Sequence, residues 1–137
     1  MKPLRALILM PLDKAHGQVR DIVASTLKEQ SVEVVSVDQV ISPGALWANA
    51  ITEAIQTADV IVADVSSGSP HVLYELGFSH ALRKPTLLLL STHSVGVMPP
   101  ELSGYQILTY DPANLSPLRQ QIIRFLDYQQ SRLGVIP

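Results

Sequence analysis

Glu75 and Asp64 are the two carboxylates whose sequence surroundings suit chemistry. Both lie in the run ADVIVADVSSGSPHVLYELGFSHALRKP, residues 58–85. Val60, Ile61, Val62, Ala63 and Val65 read as a strand covered on both faces, with Asp64 near its end. Ser66, Ser67, Gly68 and Ser69 follow as a polar turn, and Pro70 suits the first position of a helix, with Ser69 as its N-cap. Glu75 is then expected in the first turn of that helix. A carboxylate there is favoured as the anion by roughly 0.3–1 kcal/mol. The spacing therefore predicts an ionised Glu75 at neutral pH, suited to a nucleophile or electrostatic stabiliser rather than a general acid. A structural role, complementing the helix dipole or making a surface ion pair, stays open beside it.

Asp64 carries the same two readings. A charge in an apolar strand is costly unless it is paired or reaches a crevice at the strand's end, and Asp also binds the backbone amides of a following turn. The serines and Gly68 can offer hydroxyls and N–H groups to a phosphate or a sugar. They are no P-loop, because the Lys-Ser/Thr ending is absent. His71, Tyr74, Phe78 and His80 can wall a nucleobase or simply pack. His71, Glu75 and Ser79 share one helix face at four-residue spacing. His71 and Glu75 lack a third ligand for a metal, so no metal site is assigned. Tyr105 and Tyr110 read as strand residues at the sheet edge, and His93 as part of a long loop.

The elements that must position these groups alternate. Strands are predicted over 4–10, 32–37, 58–65, 85–90 and 105–110. Helices are predicted over 13–30, after the Pro43-Gly44 turn with Leu46, Trp47, Ala50, Ile51, Ala54 and Ile55, over 70–83, and from Asp111-Pro112 onward with Leu118, Ile122, Ile123, Phe125 and Leu126 buried. Segment 91–104, with Pro99-Pro100, shows no periodicity, and long loops of this kind are often functional. Residues after Arg132 are expected to fray. The alternation predicts an α/β, three-layer flavodoxin/Rossmann-like fold with a five-stranded parallel sheet in the order 2-1-3-4-5. Ligands of such sheets bind beyond the carboxyl ends of the strands, where the chain reverses between strands 1 and 3. The loops 11–17 and 66–70 lie there.

Bulk properties narrow the classes. The 137 residues suit one domain, 1–137, and 47% apolar with 16% charged residues describes a packed core. A net charge of -2 gives no footprint for nucleic acid, and no basic cluster suggests a membrane surface. With no cysteine there is no thiol nucleophile or disulfide. The apolar run 6–11 is too short for a signal core, no stretch approaches the ~20 apolar residues of a membrane span, and the expected location is cytoplasmic. A phosphorelay receiver shares the strand order, but it needs an acidic pair after strand 1 and a Lys after strand 5. Here only Asp13 and Asp111-Pro112 stand there, so that reading is rejected.

The run 58–85 resembles the nucleoside 2-deoxyribosyltransferase-like and bacterial TIR-like proteins. The likeness rests on Asp59, Asp64, Pro70, Val72, Tyr74, Glu75, Leu76, Gly77, His80, Ala81, Leu82, Lys84 and Pro85. It continues in Met10-Pro11, in Asp38 after the second strand, and in Pro100, Leu102, Gly104 and Tyr105. The resemblance implies chemistry at the N-glycosidic bond of a nucleoside or nucleotide. Glu75 would attack or stabilise the anomeric carbon, and Asp64 would hold the base or protonate it. Met10, Pro11, Leu12, Asp38, Ser66, Ser67, Gly68, Ser69, His71 and Tyr74 would contact the ligand. It implies no bound cofactor, NAD as one possible substrate, and a homo-oligomer. Ser69 stands where the transferases carry a second Asp, His71 where many TIR-like relatives have Asn, and Leu12 where Phe usually follows Met-Pro. The alternative is therefore a nucleotide-binding or TIR-like signalling module without turnover.

Overall fold

A parallel strand covered by helices on both faces must be apolar at successive positions, and the central strands of this chain are. The computed structural model describes residues 3–11, 13–36, 47–94, 102 and 104–132. In chain order the strands are β1 (Arg5–Leu9), β2 (Glu33–Ser36), β3 (Val60–Asp64), β4 (Thr86–Ser91) and β5 (Ile107–Tyr110). The helices are α1 (Gly17–Glu29), α2 (Trp47–Thr57), α3 (Pro70–Ala81) and α4 (Ser116–Arg132). All strand pairs are parallel, in the order β2-β1-β3-β4-β5. This is the predicted topology.

The two-residue period of a strand divides the core into two layers. Ala6, Ile8, Val60 and Val62 point to one face, where Val19, Val23 and Leu27 of α1 and Ile122, Phe125 and Leu126 of α4 cover them. Leu7, Leu9, Ile61 and Ala63 point to the other, against Ile51 and Ile55 of α2 and Val72 and Leu76 of α3. Each fully buried Leu or Ile contributes about 1.5–3 kcal/mol, so the sheet is fixed by continuous burial on both sides.

Polar groups tie the amino ends of the strands. The Arg5 N–H donates to Asp59 Oδ2 at 2.8 Å. The Lys84 ammonium donates to the carbonyls of Gln56 and Ala58, each at 2.8 Å. That lysine thus joins the end of α2 to the start of β3, far along the chain from both.

Most boundaries shift inward by one or two residues, and two differ for a reason the side chains show. The first helix does not begin at Asp13. Asp13 instead caps a short 3-10 turn, Lys14–His16, by accepting from the His16 N–H at 2.9 Å, and α1 follows. Asp111-Pro112 does not open the last helix either. The Asp111 carboxylate accepts from Ala113 N and its carbonyl from Asn114 N, both at 2.9 Å, which makes a turn of the kind Asp favours. The predicted positions Val37, Pro43, Gly44, Leu46, Pro99 and Pro100, and the tail after Arg132, lie outside the described residues.

Replacing Lys84 by Met keeps the aliphatic stem but leaves two carbonyls short of a charged donor. Unfolding free energy should fall by about 1.5–3 kcal/mol, measured by urea denaturation with an unchanged slope.

Candidate functional site

Pro70 starts α3 as predicted, and the first helical bond runs from Leu73 N to the Ser69 carbonyl at 3.1 Å. Ser69 occupies the N-cap position, yet its hydroxyl makes no capping bond. Gly68 has φ +64°, the left-handed region that favours glycine, so the serine turn reverses there with little strain. Counted from Pro70, Glu75 falls in the second turn of α3. No acidic residue occupies the first turn, so the expected benefit from the helix end is largely lost. The sixth-residue position also rotates Glu75 inward with Val72, Leu76 and Ser79, leaving Tyr74 outward at 73 % exposure.

Glu75 is only 5 % exposed. Among the described residues, no group hydrogen-bonds its carboxyl or forms an ion pair with it. Burial pushes its pKa up to about 7, because the charged form loses water and gains no partner. The sequence reading of a firmly ionised Glu75 is thereby corrected. Both protonation states are populated at neutral pH. The carboxyl lies on the wall of a cavity of about 530 Å³, with Ile51 and Thr52 of α2 and His71, Tyr74 and Phe78 of α3. The wall is mainly apolar and aromatic. His80 is not part of it: its ring meets Tyr105 edge-on, with Nδ1 2.5 Å from the phenol oxygen.

Asp64 sits differently. It is fully buried at the end of β3, where its Oδ1 accepts from Ser66 N at 2.9 Å and its Oδ2 from the Tyr110 hydroxyl at 2.5 Å. Tyr110 is two strands away, and the parallel register brings it there across β4. Burial, and then the Asp64 carboxylate, hold the Tyr110 phenol well above its ordinary pKa, while the Ser66 hydroxyl donates back to it. The Ser66 oxygen in turn accepts from Ser91 N at 2.7 Å, and Ser94 donates to the Ser66 carbonyl at 2.9 Å. The loops after β3 and β4 are thus joined through Ser66, and Tyr110 at the end of β5 joins them through Asp64. Tyr110 lies on the edge strand β5, as read from the sequence, but its side chain is buried and bonded to Asp64. A buried Asp at a strand end requires donors, which was the available signal; which donors depended on strand order.

The candidate residues therefore divide. Glu75, His71 and Tyr74 line the first cavity. Ser66 and Ser67 line a second, of about 310 Å³, with Tyr110 and the histidines 16 and 93. Asp64, Met10, Pro11, Gly68 and Ser69 line neither cavity. Met10 is core, and the Pro11 carbonyl accepts from the Arg20 guanidinium. Leu12 and Asp38 lie outside the described residues. Ile51 and Thr52, which the sequence reading did not place at the site, come to Glu75 from α2. Among the described residues, no group of three His, Asp or Glu side chains could hold a metal ion, and no helix is long and apolar enough to cross a membrane.

Neither a sequence-family model nor a curated protein matches the chain. Solved structures do. The Clostridium botulinum CMP N-glycosidase BcmB superposes with a TM-score of 0.66 at 20% identity, over 88% of this chain and 98% of that one. The TIR domain of the Toll-related receptor TRR-2 from Hydra magnipapillata gives 0.66 at 15% identity, over 88% and 94%. A 2-deoxyribosyltransferase from Bacillus psychrosaccharolyticus gives 0.59 at 15%, over 84% and 90%. What the chain shares with them is the fold.

Two outcomes follow from the two carboxylates. Folded Glu75 holds its proton up to about pH 7, whereas the unfolded side chain releases it near 4.5. Wild-type stability should fall as pH rises through that window, by up to roughly 3 kcal/mol. Glu75→Gln should lack this decline and be the more stable protein at pH 8, as urea unfolding at pH 4 and pH 8 will show. Tyr110→Phe leaves Asp64 Oδ2 buried without its donor and should cost about 1–3 kcal/mol at pH 7, read from thermal unfolding.

Proposed function

We propose that the Glu75 cavity performs chemistry at the N-glycosidic bond of a nucleoside or nucleotide. The observation that carries this reading is a buried, unpartnered carboxyl in a cavity walled by Tyr74 and Phe78. The aromatic and apolar wall suits the flat face of a nucleobase. Cleaving its bond to the sugar develops positive charge at the anomeric carbon, and the ionised Glu75 meets that charge covalently or electrostatically. The C–N bonding pair leaves with the base, which takes up a proton. Water then supplies hydroxide to the sugar, or a second base accepts the sugar in transfer. A buried carboxylate that no described residue pairs, set on a mainly apolar wall, is poorly stabilised before reaction, and so gains most when the cation forms. In this reading Asp64, held by Ser66 and Tyr110, sets the shape of the turn before α3. The N-glycosidase and the deoxyribosyltransferase of the same fold support the assignment by analogy.

A second reading rests on one observation. Among the described residues Glu75 is the only acid lining the cavity, whereas glycosidic hydrolysis commonly uses a pair of carboxyl groups. The same cavity would then bind a nucleotide without turnover, as a sensing or TIR-like signalling module.

The experiment follows base release by chromatography from NAD, ribonucleoside monophosphates and deoxynucleosides. Wild type should release base from at least one substrate, and Glu75→Gln should be slower by at least ~100-fold. With the carboxylate as the reactive form, kcat/KM should climb up to about pH 7 and level above it. Binding by both proteins with no release by either would establish the second reading.

A further inference from the structure

The second cavity holds polar groups that the Glu75 chemistry does not use, set among Ala15, Val19 and Pro112. It lies at the carboxyl ends of the strands, and none of its lining residues belongs to the Glu75 cavity. Four loops meet there, and they bring His16, Ser66, Ser67, Ser91, His93 and Tyr110 together. Among the described residues no carboxylate lines it. The adjoining acids have partners of their own: Asp64 accepts from Tyr110 and Ser66, Asp13 lies 2.6 Å from His16 Nδ1, and Asp111 accepts from Ala113 N.

Donors are left over. His16 is 8 % exposed, and a carboxylate against Nδ1 places a proton there, which leaves Nε2 as its remaining polar atom. Ser91 Oγ accepts from His93 N at 3.0 Å, so its own proton is unspent. Ser67 is exposed, and among the described residues no hydrogen bond engages its hydroxyl. His16 Nε2, the His93 ring and the hydroxyls of Ser67 and Ser91 make a set of donors for negative oxygen atoms, with Asp13 behind His16 on its other nitrogen. At about 310 Å³ the space exceeds a bare phosphate and admits a small group attached to it.

We infer that this cavity binds an oxyanion, as a phosphate ester of a small molecule, at a site separate from Glu75. His16, held by Asp13, anchors it from the β1–α1 loop, and Ser67, Ser91 and His93 close around it from the loops after β3 and β4. The site stands whether or not the Glu75 cavity turns a substrate over.

The test titrates the protein with inorganic phosphate at pH 6.5, by calorimetry and by NMR of the histidine rings. Saturable binding is expected, with the largest shifts at His16 and His93. Glu75→Gln should bind phosphate as wild type does. Ser67→Asp, which places a like charge at the mouth, should weaken binding by about tenfold or more, and His93→Glu should do so independently from the opposite loop. Absence of saturation, an adventitious ion bound equally by both acidic variants, or loss of binding in Glu75→Gln would each overturn the site. The last result would place phosphate at the Glu75 cavity instead, and base release assayed separately would still decide the glycosidic reading.

Discussion

The fold depends on how a buried carboxylate is satisfied at the end of a fully buried strand. Every residue of β3 is buried, and the strand ends in Asp64. An ionised group there would cost several kcal/mol without partners. It has two: the backbone N–H of Ser66, which folds the turn back over the strand end, and the phenol of Tyr110, which reaches over β4 from the edge strand. The same bonds carry the Ser66 hydroxyl to Ser91 N and the Ser66 carbonyl to Ser94. Satisfying one charge therefore fixes the loops after β3, β4 and β5 relative to one another. The start of α3 is set by that arrangement, and with it the direction in which Glu75 enters its cavity.

The two carboxylates of the run 58–85 illustrate opposite uses of burial. Asp64 is given donors on both oxygens, and its role is to hold backbone in place. Glu75 is buried to a similar degree and among the described residues meets no donor, and burial raises its pKa to about 7. A buried carboxyl of this kind reduces stability at neutral pH, and perturbed groups of this sort cluster at functional sites. The difference in environment, rather than residue type, separates the two acids.

The carboxyl edge is also divided by the start of α3. On the α2 side lies an apolar, aromatic cavity with one carboxyl; on the β1–α1 loop side lies a polar cavity with histidines and hydroxyls. Ser66 and Ser67 stand only a few residues before His71, yet the turn at Gly68 sends them to the other side. Proximity in sequence suggested one ligand site, and the reversal of the backbone sets these residues on two cavities.

Much of the architecture was legible in the residues. Continuous apolar runs can be stable only as strands covered on both faces, the periodic segments between them must be the covering helices, and parallel connections leave few strand orders. The start of α3 at Pro70 was legible for a similarly local reason, since proline lacks the N–H that an interior helical position needs. The charge state of Glu75 was not, because it depends on the residues from α2 that exclude water from it. Nor was the partnership of Asp64 with Tyr110, which lies 46 residues on and is brought near only by the order of the strands. Local sequence determined which segments form and which residue types were available for chemistry. Tertiary structure decided that Asp64 would meet hydrogen-bond donors and that Glu75, among the described residues, would not, because desolvation and long-range hydrogen bonds exist only once distant segments have packed.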